Sequence, residues 1–388
     1  MTIDPIRILS DLVRINSINA FYQDGPGEGG LANYIEAFWE SHGIQTWRQP
    51  VLPGRDNVIA RLPGRRGEPQ TEASPSADRR LLLEAHMDTV TVSGMTIDPF
   101  EPKIEHGRMY GRGSCDTKAG LACMMAAMAQ TKRDRFVPDG EIWMASVVDE
   151  EFSCLGVIQL CESLQATAAI VAEPTELKTV IASKGVLRWR IVALGKQAHS
   201  SKVHLGINAI HHMAKLVSAI EIFHGTLGSI QHPLLGPATG NIGLIEGGVQ
   251  VNFVPERCSI QIDRRLLPFE DIREVLAGYQ AVIDTVAAST PGSRFEMEPP
   301  LLYDRGLETA ADAPIARLSC DILKKMGYSD AVEGVAYGSD GTHIRQLGID
   351  TIIFGPGSID QAHTECEYIA LDQVRAAFDY YRGIIQEF

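Results

Sequence analysis

Three short aliphatic runs, residues 81–85, 142–148 and 168–172, each end directly in ionisable residues: His86-Met87-Asp88, Asp149-Glu150-Glu151 and Glu173-Pro174. A fourth run, 351–354, leads through Gly355-Pro356-Gly357 to His363. Runs this short, rich in aliphatics and bounded by polar or glycine residues, read as strands buried on both faces, the pattern of a parallel sheet. Helical segments lie around them: 3–15, 31–41 ending at Gly43, an Ala- and Met-rich stretch at 117–131, and an amphipathic one at 371–386. Strands alternating with helices predict an α/β, doubly wound sheet.

From about Ser183 the pattern changes. Strand 186–194, helix 208–223, strands 241–246 and 251–267, helix 271–288 and strand 294–298 follow in the order βαββαβ, which predicts a ferredoxin-like unit inserted into the larger domain. The expected organisation is a first catalytic part at 1–182, an insertion at 183–298 and a second catalytic part at 299–388. A chain of 388 residues is too long for one ordinary core, in keeping with two compact units. The polar, Pro-rich stretch 64–80 reads as an exposed, mobile loop without function.

With 45% apolar and 22% charged residues the chain has the balance of a globular protein. A formal net charge of -14 argues against nucleic acid or an acidic membrane as partner. The first twelve residues carry Asp4 and Asp11 and no long apolar core, so neither a signal peptide nor a membrane span is expected, and the expected location is the cytoplasm. Seven cysteines without a CxxC pair read as reduced thiols, Cys115 and Cys366 among them.

In open α/β sheets ligands bind at the carboxyl ends of strands, so the three clusters should converge on one crevice. Asp116, following Gly111-Arg112-Gly113 and opening a helix, and His363 belong to the same edge. So many carboxylates in one pocket repel each other and resist ionisation unless a cation compensates them. Two imidazoles with three or more carboxylates and no thiolate motif favour zinc, cobalt or manganese. One carboxylate bridging two ions gives the paired geometry that hydrolases use to activate water. Taken singly, an HxD, an Asp-Glu-Glu run or a Glu-Pro is an ordinary structural feature; their joint position at strand ends is what points to a metal site.

These residues resemble a known family, the two-zinc aminoacylases and carboxypeptidases that include acetylornithine deacetylase, succinyl-diaminopimelate desuccinylase and glutamate carboxypeptidase. The carriers are Glu84-Ala-His86-Met-Asp88-Thr-Val90, Tyr110-Gly-Arg-Gly-Ser-Cys-Asp116-Thr-Lys-Ala-Gly120, Asp149-Glu-Glu151, Ala172-Glu173-Pro-Thr175, Gly355-Pro-Gly-Ser and Ala362-His363-Thr-Glu-Cys-Glu367, nearly end to end. The resemblance implies two zinc ions per chain, with cobalt or manganese as substitutes. One would be held by His86, Asp116 and Glu173, the other by Asp116, Glu151 and His363. It implies further that the Asp88 carboxylate accepts the other ring N–H of His86 and that Glu150 is the general base.

The insertion resembles the family's dimerisation and lid domain, which implies a homodimer. Gly195-Lys-Gln-Ala-His199-Ser-Ser201 matches the segment whose His reaches into the partner's site, making His199 the candidate oxyanion donor. Asn252, Arg265 and Asp340 match substrate-side positions, the Arg suited to a carboxylate. Family members show Asp or Ala where Cys366 stands, a departure that touches no implied ligand.

The implied activity is hydrolysis of the amide of a small N-acyl amino acid by a deacetylase or desuccinylase. A carboxypeptidase, dipeptidase or aminoacylase acting on a short peptide or acyl amide shares the same site and is the alternative. A noncatalytic metal-binding relative would be expected to have lost Glu150 or a ligand, and this chain keeps the full set.

Overall fold

A computed structural model of the chain describes residues 2–65 and 79–388; most of the polar stretch read as a loop at 64–80 lies outside the described residues. The chain forms two compact units, one of Met1–Ile181, Glu308–Glu333 and Ser339–Phe388, the other of Ala182–Leu307 with Gly334–Gly338.

The first unit is built on an eight-stranded sheet. Its strands lie in the order Gln45–Leu52, Arg55–Leu62, Glu141–Val147, Arg80–His86, Ala168–Val171, Asp350–Ile353, Thr179–Ser183, Val332–Val335. The four strands in the middle, those that carry the ionisable clusters, run parallel. Their partners on either side run antiparallel, so the sheet is mixed at its flanks. Leu81, Leu82 and Leu83 are fully buried, as are Ile142, Met144, Ile170 and Ile352, which explains why these strands read as unbroken apolar runs.

Helix Lys118–Arg133 is buried along nearly its whole length, from Lys118 to Thr131. Small alanines let it lie close to its neighbours while Met124, Met125 and Met128 fill the gaps, and each buried Met contributes about 1.5–3 kcal/mol by leaving water. Helix Leu371–Glu387 and helix Pro5–Arg14 pack in the same core through Tyr380, Tyr381 and Ile384 and through Leu9 and Leu12. Asp4 caps the latter helix, accepting from the Ile6 N–H, with Pro5 in its first turn.

The second unit has its own core of Leu187, Trp189, Ile191, Met213, Leu216, Ile260, Ile262 and Tyr279. Its strands run Thr239–Gly247, Arg257–Leu266, Gly185–Leu194, Arg294–Met297, all antiparallel to their neighbours. Helices Ala209–Thr226 and Ile272–Ser289 complete the βαββαβ order. Two boundaries differ from the sequence reading. The stretch 251–267 is not one strand: Phe253–Val254 pairs with Ala198–His199, and the long strand starts only at Arg257. Leu302–Asp304 pairs with Gly185–Leu194, so the unit runs on to Leu307 instead of stopping at residue 298. Among the described residues no helix is long and apolar enough to cross a membrane.

Candidate metal centre

His86 is the last residue of its strand, Glu173 lies two residues beyond Ala168–Val171, and Asp116 ends the glycine-rich turn that leads into helix Lys118–Arg133. Glu151 follows strand Glu141–Val147, and His363 stands in the left-handed region at φ 59° in the loop after Asp350–Ile353. Segments remote in sequence thereby bring all five expected ligands together. His86 Nε2 lies 3.2 Å from Asp116 Oδ1 and 4.0 Å from Glu173 Oε1. His363 Nε2 lies 3.4 Å from Asp116 Oδ2 and 3.1 Å from Glu151 Oε1. The two oxygens of Asp116 thus face two different imidazoles.

Protonation shows how much this arrangement wants a cation. Burial first, then the neighbouring Asp116, raises the carboxyls of both Glu151 and Glu173. Burial also raises Glu150 well above the carboxylate range, with Asp340, Glu151 and Asp88 adding to it and His86 opposing. Burial opposes a charge on His86, yet Asp116, Asp88, Glu150 and Glu173 together outweigh it and lift the ring well above the ordinary histidine value. Hydrogen bonds from the His363 ring to the carboxylates of Asp116 and Glu151 push His363 to about 10. Retained protons stand in for missing positive charge. Ligand atoms of His86, Asp116 and Glu151 lie within 4.8 Å of one another, so one ion could touch all three. Nitrogen and carboxylate donors without thiolate fit zinc, cobalt or manganese.

Each acidic turn is gripped from behind. Glu367, fully buried, takes Arg112 Nη1 at 2.7 Å and the Gly113 N–H at 2.9 Å on one oxygen, and the N–H groups of Cys115 and Asp116 at 2.8 and 3.0 Å on the other. Asp88, also fully buried, accepts the N–H groups of Glu150 at 3.2 Å and Glu151 at 3.1 Å. His86 Nδ1 lies 3.0 Å from the Asp88 main-chain oxygen and 3.6 Å from the Asp88 carboxylate, which helps to hold a proton on the ring. The same carboxylate thus also faces the Glu150–Glu151 main chain.

The loops after Ala168–Val171 and Asp350–Ile353 are stitched together by Glu176 N–H to Gly357 O at 2.7 Å and Gly355 N–H to Thr175 Oγ1 at 3.1 Å. Glycine is required at both ends of that stitch. A Cβ at 355 would stand 2.5 Å from the Glu173 oxygen, and one at Gly357, whose φ is 93°, would stand 2.4 Å from Cys115 Sγ.

The remaining expected residues are placed differently. Asp340 is 1% exposed and lies near the carboxyls of Glu84 and Glu150. In the second unit, His199 is exposed, with Nδ1 2.8 Å from Ser201 Oγ. Asn252 is exposed beside it, its main-chain oxygen accepting the Ser200 N–H at 3.0 Å. Arg265 is half-buried and donates to Asp263 at 3.0 Å. The sequence reading passed over Glu28, Arg55 and Asn19; Glu84 and Asp149 it quoted within motifs without giving either a role. All are polar residues in turns or strand positions, with no spacing to set them apart from surface residues, and only their burial in the fold reveals them.

Residues 82–387 match the family described as Peptidase family M20/M25/M40. The chain is 28% identical over 351 residues to an acetylornithine deacetylase of Myxococcus xanthus, covering 89% of this chain and 88% of that one. It is 25% identical over 419 aligned positions to a probable succinyl-diaminopimelate desuccinylase of Staphylococcus epidermidis, covering 99% and 98%. Among solved structures, a tripeptidase from Staphylococcus aureus superposes with a TM-score of 0.81 at 22% identity, covering 98% and 97% of the two chains. The YxeP protein of Bacillus subtilis, described as a dinuclear metal binding peptidase, superposes with a TM-score of 0.74 at 16% identity, covering 99% and 98%. Both likenesses concern the fold.

Proposed function

The chain belongs to peptidase family M20/M25/M40, and from that premise we propose that it hydrolyses the amide bond of a small N-acyl amino acid, as a deacetylase or desuccinylase does. It is a hydrolase of a metal-dependent family and carries a site able to hold a metal. The observation that carries the reading is Asp116, whose two oxygens face His86 and His363 at 3.2 and 3.4 Å. We assign one ion to His86, Asp116 and Glu173 and the other to Asp116, Glu151 and His363, with zinc as the native metal and cobalt or manganese as substitutes.

When bound, such ions lower the pKa of water and polarise the scissile carbonyl. Glu150, whose pKa burial raises, is the general base: it takes a proton from the attacking water and delivers it to the departing amine nitrogen. Asp88 holds the main chain beneath it, so that adjacent glutamates serve different tasks. His199 donates to the oxygen that becomes negative as the carbonyl turns tetrahedral. Arg265 and Asn252 receive the substrate's carboxylate and polar groups. His199 acts in trans within a homodimer; in support, the edge strand Thr239–Gly247 exposes Leu244 and Ile245, and Val249 and Val251 stand in solvent just beyond it. A cytoplasmic location fits small-metabolite chemistry of this kind.

The names of the deacetylase and desuccinylase relatives support the substrate class. Likeness to a tripeptidase makes a peptidase using the same centre the second reading. Zinc- or cobalt-loaded protein offered acetylornithine, succinyl-diaminopimelate, acetylmethionine and a C-terminal glutamyl dipeptide separates them. Release from either of the first two is expected; release from the dipeptide alone would replace the deacylase reading by the peptidase one.

A further inference from the structure

Behind the acidic turn 149–151 lies a buried polar cluster with no place in the chemistry so far described. Asn19 is fully buried in the loop between helices Pro5–Arg14 and Gly29–Ser41. Its amide nitrogen donates to Asp88 Oδ2 at 2.7 Å and to Asp149 Oδ1 at 3.0 Å, and its amide oxygen accepts the Phe21 N–H at 2.9 Å. Both amide hydrogens are therefore spent on two different carboxylates, a task that no carboxylate or apolar side chain of that size can perform. Arg55 Nη2 reaches the same Asp149 oxygen at 2.8 Å, and its fork closes on Glu28 with two contacts of 2.6 Å. Glu28 in turn accepts the Asp149 main-chain N–H at 3.1 Å.

All of this converges on a residue in an unfavourable conformation. Asp149 has φ 72°, a left-handed region that a non-glycine residue occupies at a cost and keeps only where the surroundings over-determine it. Here Asn19, Arg55 and Ser153 grip its side chain, Glu28 its N–H, and the Ser153 and Cys154 N–H groups its carbonyl. That left-handed step ends strand Glu141–Val147 with a turn in which the next two N–H groups, of Glu150 and Glu151, both point at Asp88. Asn19 ties Asp88 to Asp149 and so locks the two halves of the turn together. The loop bearing Asn19 is itself fastened to the sheet edge by its N–H to Thr89 O at 2.9 Å, and Lys118 Nζ donates to Leu12 O and Ile15 O just upstream.

We infer that Asn19, with the Arg55–Glu28 pair, is a positioning device that sets the directions of Glu150 and Glu151, one toward the attacking water and the other toward metal. This rests on the roles assigned above to those two glutamates. Neither Asn19 nor Arg55 touches the reacting atoms; they act through Asp88 and Asp149.

The test uses Asn19→Asp, which keeps the shape but removes both donors, and Arg55→Lys, which keeps the charge but loses the fork. For Asn19→Asp, kcat should fall about 10–100-fold with KM within about threefold, and zinc affinity by chelator competition should fall about 10–100-fold. Arg55→Lys should fall less on both counts, and it keeps the test open should Asn19→Asp fail to fold. A fall in kcat or in zinc affinity, in folded protein with KM held, supports the inference. Folded variants that lose only thermal stability, with kcat and zinc affinity within about threefold of the parent, would overturn it. Failure of the underlying reading would show separately, as a parent enzyme whose turnover survives both chelation and Glu150→Gln.

Discussion

In the first unit the Asp88 carboxylate receives three donors and that of Glu367 four, all of them away from solvent. In the second, His199 stands exposed with Ser201 as its partner, and Asn252 lies exposed beside it. The first arrangement is finished within one chain: the turns that carry Asp116 and Glu151 are fixed from behind by the buried carboxylates of Glu367 and Asp88, the condition for ligands to be held in place before an ion arrives. The second is the condition of groups that gain their partners only when something else is bound. Substitutions should therefore harm folding and chemistry together in the first unit, and chemistry alone in the second.

The sharpest way to break this contrast is at the base. Glu150→Gln should lower kcat about 10²–10⁴-fold while metal content stays that of the parent; turnover within a few-fold would remove Glu150 from the mechanism. Arg112→Ala leaves Glu367 buried and uncompensated and should cost about 3–5 kcal/mol in denaturant unfolding, taking activity with it. His199→Ala should lower kcat about 10²–10³-fold with no change in Tm, and a drop in Tm would erase the distinction between the units. Mixing His199→Ala with Glu150→Ala subunits should restore some activity; a verified heterodimer without rescue would confine His199 to its own chain.

The smallest expected effect is a pH slope. Glu150, Glu151 and Glu173 are raised chiefly by burial, and His86 and His363 are raised by their carboxylate partners, His363 to about 10. Between about pH 5 and about pH 7 the metal-free folded protein thus binds more protons than the unfolded chain, and its stability falls as pH rises. Asp88 and Asp116 are lowered, stay ionised in both states across that window and contribute no slope. Glu28, Glu84 and Glu367, also raised by burial, add to the decline, whereas His212 and His224, lowered by burial, act the other way. Lys118, pushed down to about 7 by burial, begins to oppose near the top of the window and does so fully above it. Thermal unfolding of chelated protein should show the decline, and restoring zinc should flatten it.

Much of the metal-centre geometry was legible because a buried parallel strand is a continuous apolar run, and the residue that breaks the run marks its carboxyl end. The clusters that hold His86, Glu151 and Glu173 were found by that break, and the part each member would play came from the family resemblance. The antiparallel flanks were harder to read: a strand such as Gln45–Leu52 is only partly buried and has no unbroken apolar signature. Asn19, Glu28 and Arg55 were illegible for another reason. Their partners lie from 27 to 130 residues away, and a Glu beside glycines in a polar turn looks like solvent-facing surface until the fold closes over it. The motif position of Asp340 likewise said nothing of the burial that the fold gives it near Glu84 and Glu150.

Metal content per chain after gentle purification, read together with amide hydrolysis before and after chelation, bears most directly on the central claim. Two carboxylate oxygens of one Asp116 facing two imidazoles predict about two zinc-like ions per chain, with activity lost on chelation and regained when metal is restored. A metal-free protein that still hydrolyses the amide would contradict it.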